Sequence, residues 1–203
     1  MNDPKAIRKT ADVTDDRAIR AALVRKRLRH HRERNDTLLI HELGLVHARS
    51  RIDLAVINGV VHGYEIKSEQ DSLSRLPSQL EVYRQTLQKL TFVVAEKHLS
   101  SVLMRVPRWC GVLLARRGPR GALHIETVQK ASRNPDLNLF LMAHLLWRDE
   151  AQEILAGWGA DKAKLRSPRA VLYREVVCGV SESRLTALIK AAMMQRSAWR
   201  DHS

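Results

Sequence analysis

The chain has 203 residues, 44% of them hydrophobic and 4% aromatic, with a formal net charge of +13 and a pI near 10.4. That apolar content supports one domain with a small appendage and excludes a chain disordered by composition. The charge predicts an anionic partner, most simply nucleic acid, while the scarcity of aromatics argues against base stacking as the main way of holding it.

Cys110 and Cys178 lack CxxC spacing and sit in apolar runs, as buried thiols of a reducing compartment would. With no signal-like leader and no apolar run of roughly 18 residues, the expectation is a cytoplasmic protein that does not enter a membrane. Residues 1–13 are polar and read as a mobile tail. Asp15 or Asp16 caps an expected helix running to Arg34, whose second half, VRKRLRHHRER, is densely basic; Arg25, Lys26, Arg27, Arg29, Arg32 and Arg34 are its candidate phosphate contacts. A short helix is expected from Asp36 or Thr37 to Leu43, ended by Gly44. It would turn Glu42 inward with Leu38 and Leu39, an expensive place for an unpaired acid.

Residues 51–57 (RIDLAVI) read as a central strand, apolar on both faces except at Asp53. Residues 60–67 form the next strand, with Glu65 and Lys67 on one face. A two-residue Asn58–Gly59 turn would set Asp53 opposite Tyr64. An odd-length loop with Gly59 in the left-handed region, or a bulge at Gly63, sets it on the face of Glu65 and Lys67, and this second arrangement is the expected one.

Ser74 and Pro77 open a helix that carries Gln79 and Tyr83 on one face. Strands follow at 91–95 and 110–115, with a helix near 98–105 between them. RRGPRG is a basic turn, and ALHIETV an edge strand. A long helix spans 136–156, a linker 157–164, and a helix opens at Ser167–Pro168. The turn at 178–181 leads to a last helix reaching about Ser197, a pair that forms an αα-hairpin or, more weakly, a helix-turn-helix.

Two carboxylates on neighbouring strands and a third close by can hold Mg²⁺ or Mn²⁺ through oxygen ligands. Such an ion activates a water and neutralises charge on a phosphodiester, and a lysine on the same face stabilises that charge. Glu-x-Lys alone is common by chance; the strand it ends, Asp53 before it and the acid at Glu42 give it weight.

HELGL, RIDLAVING, HGYEIKS, DSLSRLPSQLEVY and LTFVVAEKHL together resemble the PD-(D/E)XK nuclease superfamily. Gln79 and Tyr83 match the Q-x-x-x-Y pattern of its RecB-like branch, and the stretch is similar to small stand-alone bacterial proteins assigned as such nucleases. The resemblance is close over residues 36–115, and LLWRDE looks like that group's tail. It implies an α/β fold with a restriction-endonuclease-like core, a central mixed sheet flanked by helices, followed by a helical C-terminal extension. It makes Asp53 and Glu65 metal ligands, Lys67 the water-orienting group and Glu42 the ligand that completes the site, with His41 as the alternative. Gln79, Tyr83 and Arg75 become supporting or DNA-positioning groups. Ile52 stands where the motif has Pro.

The expected organisation is a basic arm over 1–35, a nuclease core over 36–130 and a helical extension over 131–203. The expected activity is Mg²⁺- or Mn²⁺-dependent hydrolysis of DNA in repair, mobile-element biology or phage defence. A homodimer, or a partner protein that supplies specificity or ATP-driven motion, would complete it. The alternative is a DNA-binding protein with a degenerate site.

Overall fold

The computed structural model describes residues 14–200, with side chains to residue 196; the expected mobile tail at 1–13 lies outside them. Asp15 caps the first helix, α1 (Asp16–Lys26), its carboxylate accepting the Ala18 N–H at 2.7 Å. The helix does not run on to Arg34. The N–H groups of Arg27 and Leu28 both donate to the Leu23 carbonyl, which closes the helix with Leu28 buried. The basic segment then continues as a single turn, α2 (Arg29–Arg32).

The helix expected over 36–43 is a strand, β1 (Leu38–Leu45), paired antiparallel with β2 (Ser50–Ile57). Leu38, Leu39 and Glu42 fit a helical period, but a short run of aliphatic residues is ambiguous from periodicity alone, and here the ladder with β2 decides. Glu42 is therefore not an inward helix acid. It lies across from Asp53, in register between the His41–Leu54 and Leu43–Ile52 pairs, with φ of 54° and an exposed side chain.

A three-residue loop, 58–60, leads to β3 (Val61–Lys67), and Gly59 adopts φ of 70° within it. Ile57 pairs with Val61 and Leu54 with Tyr64. Carried on by one residue, that register sets Asp53 opposite Glu65, the odd-loop arrangement expected from the sequence. Gly63 is no bulge: it pairs regularly with Ala55, and a Cβ there would meet Leu87 Cδ1 at 2.6 Å, so β3 needs glycine for close approach.

Helix α3 (Leu76–Thr86) crosses from β3 to β4 (Lys89–Ala95), which lies parallel to β3. Helix α4 (Leu99–Arg105) leads on to β5 (Gly111–Arg117), parallel to β4, and β6 (Leu123–Gln129) closes the edge antiparallel. The sheet is mixed, six-stranded and ordered β1 to β6. Pro77 lies in the first turn of α3, but the N-cap is Arg75, without a side-chain bond, rather than Ser74.

The single helix expected over 136–156 is broken. Asn138 caps α5 (Leu139–Met142), the chain is extended at Leu146 and Trp147, and α6 (Arg148–Gly157) restarts where the Glu150 carboxylate accepts the Trp147 N–H at 2.6 Å. The linker holds a further turn, α7 (Lys162–Leu165), before α8 (Arg169–Cys178) and α9 (Glu182–Arg200). Cys110 is buried, but Cys178, at the end of α8, is exposed.

Two cores clothe the sheet. Tyr83, Phe92, Val94, Val102, Leu172 and Ile189 belong to one, under α3, α4 and the C-terminal helices; Ile19, Leu23, Leu54, Ile66 and Val93 belong to the other, under α1. The fold is thus α/β, a mixed sheet covered by helices on both faces. Among the described residues no helix is long and apolar enough to cross a membrane.

Candidate functional site

The first half of β2, the end of β3 and the start of α3 enclose a cleft of about 820 Å³ whose walls include Glu42, Asp53, Glu65, Lys67, Arg75 and Gln79. Glu65 and Lys67 alternate on β3 and are 3% and 4% exposed. Burying an ion pair costs more than its attraction returns unless the remaining valences are met, and here most of them are. Lys67 Nζ donates to Glu65 Oε1 at 2.8 Å and to Gln79 Oε1 at 2.9 Å. Gln79 Nε2 donates to Glu65 Oε1 at 2.7 Å, and the Tyr83 hydroxyl donates to Glu65 Oε2 at 2.8 Å. One turn of α3 therefore holds both groups, as the i, i+4 spacing of Gln79 and Tyr83 requires. Tyr83 also lies 2.7 Å from the Arg51 carbonyl. Burial first, then the Glu65 charge, raise its phenol above the ordinary range, so it stays a donor.

Asp53 and Glu42 belong to a neighbouring set organised by a residue that sequence reading missed. From α1, Arg20 Nη2 reaches Glu42 Oε1 at 2.7 Å and Asp53 Oδ1 at 3.3 Å, Nη1 donates to the Asp53 carbonyl at 2.9 Å, and Nε meets Asp16 at 3.3 Å. Burial pulls Arg20 down, but the hydrogen bond to Glu42 and the charges of Asp16 and Asp53 hold it above its usual value. Asp53 Oδ2 accepts the Ile66 N–H at 2.7 Å, the link between the two sets. Burial first, and then the Glu65 carboxylate, push Asp53 up to about 7. The only sequence signal for Arg20 was an i, i+4 pairing with Asp16, which many solvated helices share.

Among the described residues no group of three or more His, Cys, Asp or Glu side chains is gathered closely enough to hold a metal ion. The donor chemistry of Asp53 and Glu65 nevertheless suits a hard divalent cation. An ionised carboxylate offers about four acceptor sites; three of those on Glu65 are filled by Lys67, Gln79 and Tyr83, and burial first, then the Glu65 charge, disfavour the Asp53 anion, which a cation would relieve. Glu42 fits only if Arg20 releases it. His41 is exposed and is absent from the cleft wall.

The structure therefore brings Glu65, Lys67, Gln79 and Tyr83 into one bonded set and sets Asp53 and Glu42 beside it on Arg20. Arg75 is exposed on the cleft wall. The six basic candidates lie elsewhere, and none lines the cleft. Arg29 pairs with Glu33 and Arg34 with Asp36, Lys26 donates to the Leu123 carbonyl, and Arg27 donates to the Thr127 hydroxyl. Arg25 and Arg32 are exposed.

Comparison with known proteins adds three likenesses. The sequence profile of the family described as Bacteriophage P4 protein cII matches residues 9–197. Protein cII of Enterobacteria phage P4 is 32% identical over 125 residues, 62% of this chain and 47% of that protein, so the chain spans about half the length of the curated relative it matches. A solved protein of unknown function from Silicibacter pomeroyi shares 18% identity at a TM-score of 0.42, covering 58% of this chain and 71% of that one.

Proposed function

The chain belongs to the bacteriophage P4 protein cII family, and we propose that it is a metal-dependent nuclease that hydrolyses DNA phosphodiesters. The observation that carries this reading is the buried Glu65–Lys67 pair, fixed by Gln79 and Tyr83 beside Asp53 on the wall of an open cleft. The order of strand with Asp53, strand with Glu65 and Lys67, then helix with Gln79 and Tyr83, in a mixed sheet, supports a restriction-endonuclease-like core of the PD-(D/E)XK type with the Q-x-x-x-Y signature. The +13 charge supports DNA as the substrate. A family named for a phage protein supports the mobile-element setting.

Bound Mg²⁺ or Mn²⁺ would supply Lewis-acid stabilisation of the phosphate and acidify a water. Asp53 and Glu65 would hold the ion through carboxylate oxygens, and Glu42 would join them only if released from Arg20. Lys67 has three donors and spends two on Glu65 and Gln79, so its third N–H orients the attacking water and steadies negative charge on the phosphate. The water would give up a proton to solvent as its oxygen bonds to phosphorus and one ester P–O bond breaks, and the leaving alkoxide would take a proton from solvent. Gln79 and Tyr83 keep Glu65 aimed, while Arg75 and Arg51 meet the flanking phosphates. With one site per chain, cutting both strands would favour a dimer.

The test is cleavage of labelled duplex, single-stranded and branched DNA with Mg²⁺, Mn²⁺ or chelator, beside Glu65→Gln and Lys67→Ala. Metal-dependent cutting that each substitution lowers by roughly 100-fold or more is the expected result. If no substrate is cut, while wild type and variants bind DNA with the same salt dependence, the protein is a DNA-binding module with a relic site. The specific observation favouring that second reading is Arg20, whose guanidinium already spans Glu42 and Asp53.

A further inference from the structure

A second concavity lies on the face of the sheet that α1 covers. It is a groove of about 520 Å³ where the α1–α2 junction meets β3 and the end of β6. His62 and Tyr64, alternate residues of β3, form its floor, their rings stacked with centroids 4.3 Å apart and planes 24° apart. Thr91 Oγ1 lies 2.8 Å from His62 Nε2, and the Tyr64 hydroxyl lies 3.2 Å from Nδ1. Both ring nitrogens are thereby engaged, and burial, then the Lys89 charge, push His62 down to about 3. The floor is polar, flat and uncharged.

The rim has the opposite character. Lys26, Arg27, His30, His31 and Lys130 stand around it, and the lining contains no carboxylate. Arg27 is tethered to the Thr127 hydroxyl, so its charge is held over the groove by a neutral partner, while the Lys26 ammonium turns away to the Leu123 carbonyl at the other end of β6. The His31 Nδ1 atom is shielded from solvent and has no hydrogen-bond partner.

We propose that this groove binds the terminal phosphate monoester of a nucleotide, with Arg27 and Lys130 neutralising it and the His31 ring bonding one of its oxygens. A phosphate monoester carries close to two negative charges at neutral pH and three strong acceptor oxygens, which matches two cations on a rim without carboxylates better than a backbone diester does. The groove's size suits a ligand no larger than a mononucleotide, and the His62–Tyr64 rings offer a flat wall to its sugar and base. The inference goes beyond the nuclease reading and does not depend on it, because no residue lining the groove also lines the acid cleft.

The test uses the full chain, titrated calorimetrically with dTMP, with thymidine, and with one oligonucleotide carrying either a 5′-phosphate or a 5′-hydroxyl, while NMR follows the histidine ring signals. The expected result is that dTMP binds and thymidine does not, that the His31 and His62 signals move, and that Lys130→Glu weakens dTMP binding by about tenfold. Lys130 is exposed, so this variant leaves the fold intact, and Arg27→Gln should act in the same direction. A preference for the 5′-phosphate oligonucleotide assigns the groove to strand ends; dTMP binding without that preference assigns it to free nucleotides. Either supports the site. Indifference to the phosphate in both pairs, or histidine signals that stay fixed, overturns it and leaves a diffuse polyanion surface.

Discussion

Asp53 sits between an arginine and an acid, and the balance of the two sets how the folded state responds to pH. Arg20 and the Ile66 N–H favour its anion, but burial and the Glu65 carboxylate outweigh them and push it from 3.8 up to about 7. The folded chain therefore keeps a proton that the unfolded chain has lost. Stability falls as pH rises from about 4 to about 7, by at most about 1.4 kcal/mol per pH unit, and levels off above that. Melting curves for wild type and Asp53→Asn across this range should diverge, with the Asn variant gaining relative stability toward the alkaline end. Curves that stay parallel would remove the raised carboxyl from the account. A divalent cation would neutralise the same excess charge, so Mn²⁺ should raise the wild-type melting temperature more at about pH 8 than at about pH 6, a readout that requires no turnover.

The hairpin between β1 and β2 shows how an element accommodates the cleft. Val46, His47 and Ala48 follow one another at φ of 47°, 54° and 64°, a conformation that costs an L-residue roughly 1–2 kcal/mol. Val46 and Ala48 both line the cleft, and strained backbone tends to collect where function positions it. Ala48→Gly removes the Cβ penalty at the cost of some chain entropy. It should stabilise the protein by about 0.5 kcal/mol, seen as a higher midpoint in urea with an unchanged slope; a lower midpoint would mean that the Ala48 methyl makes contacts worth more than the strain. This turn and β1 were the parts of the site that the sequence hid. Asp53, Glu65 and Lys67 were legible because strand period and loop parity fix which side chains share a face. Gln79 and Tyr83 were legible because helical spacing does the same. Glu42 was placed on a helix and lies on a strand, since three aliphatic residues before it satisfy either period. Arg20 was not legible, because only the docking of α1 against the sheet brings it to the acids. The break at Leu146–Trp147 escaped for a similar reason: the apolar period runs through it, and the Glu150 cap that restarts the helix is an ordinary acid in the sequence.

The C-terminal helices were read as an extension, yet their buried faces complete the same core as the sheet. Leu172, Tyr173, Val176, Leu185 and Ile189 cluster with Phe92 and Val94 of β4. Polar ties reinforce the junction. Gln88, 2% exposed, accepts the Val61 N–H at 2.7 Å and the Thr186 hydroxyl at 3.1 Å through one oxygen, while its amide nitrogen reaches Glu182. Asn134 donates to the Arg84 and Leu87 carbonyls at the end of α3. The helix that holds Glu65 and Lys67 is thus packed against elements from the far end of the chain, and its rigidity depends on them. Unfolding should then be a single transition, with circular dichroism and tryptophan fluorescence coincident. Leu172→Ala opens a cavity in this shared core and should cost about 2–5 kcal/mol, shifting both probes together. A variant that melted in two steps would show instead that the helices form a separate unit resting on a self-sufficient sheet. The geometry argues against that outcome, because the buried residues of α8 and α9 belong to the same core cluster as Tyr83 and Phe92, and Tyr83 carries the hydroxyl that holds Glu65 in place.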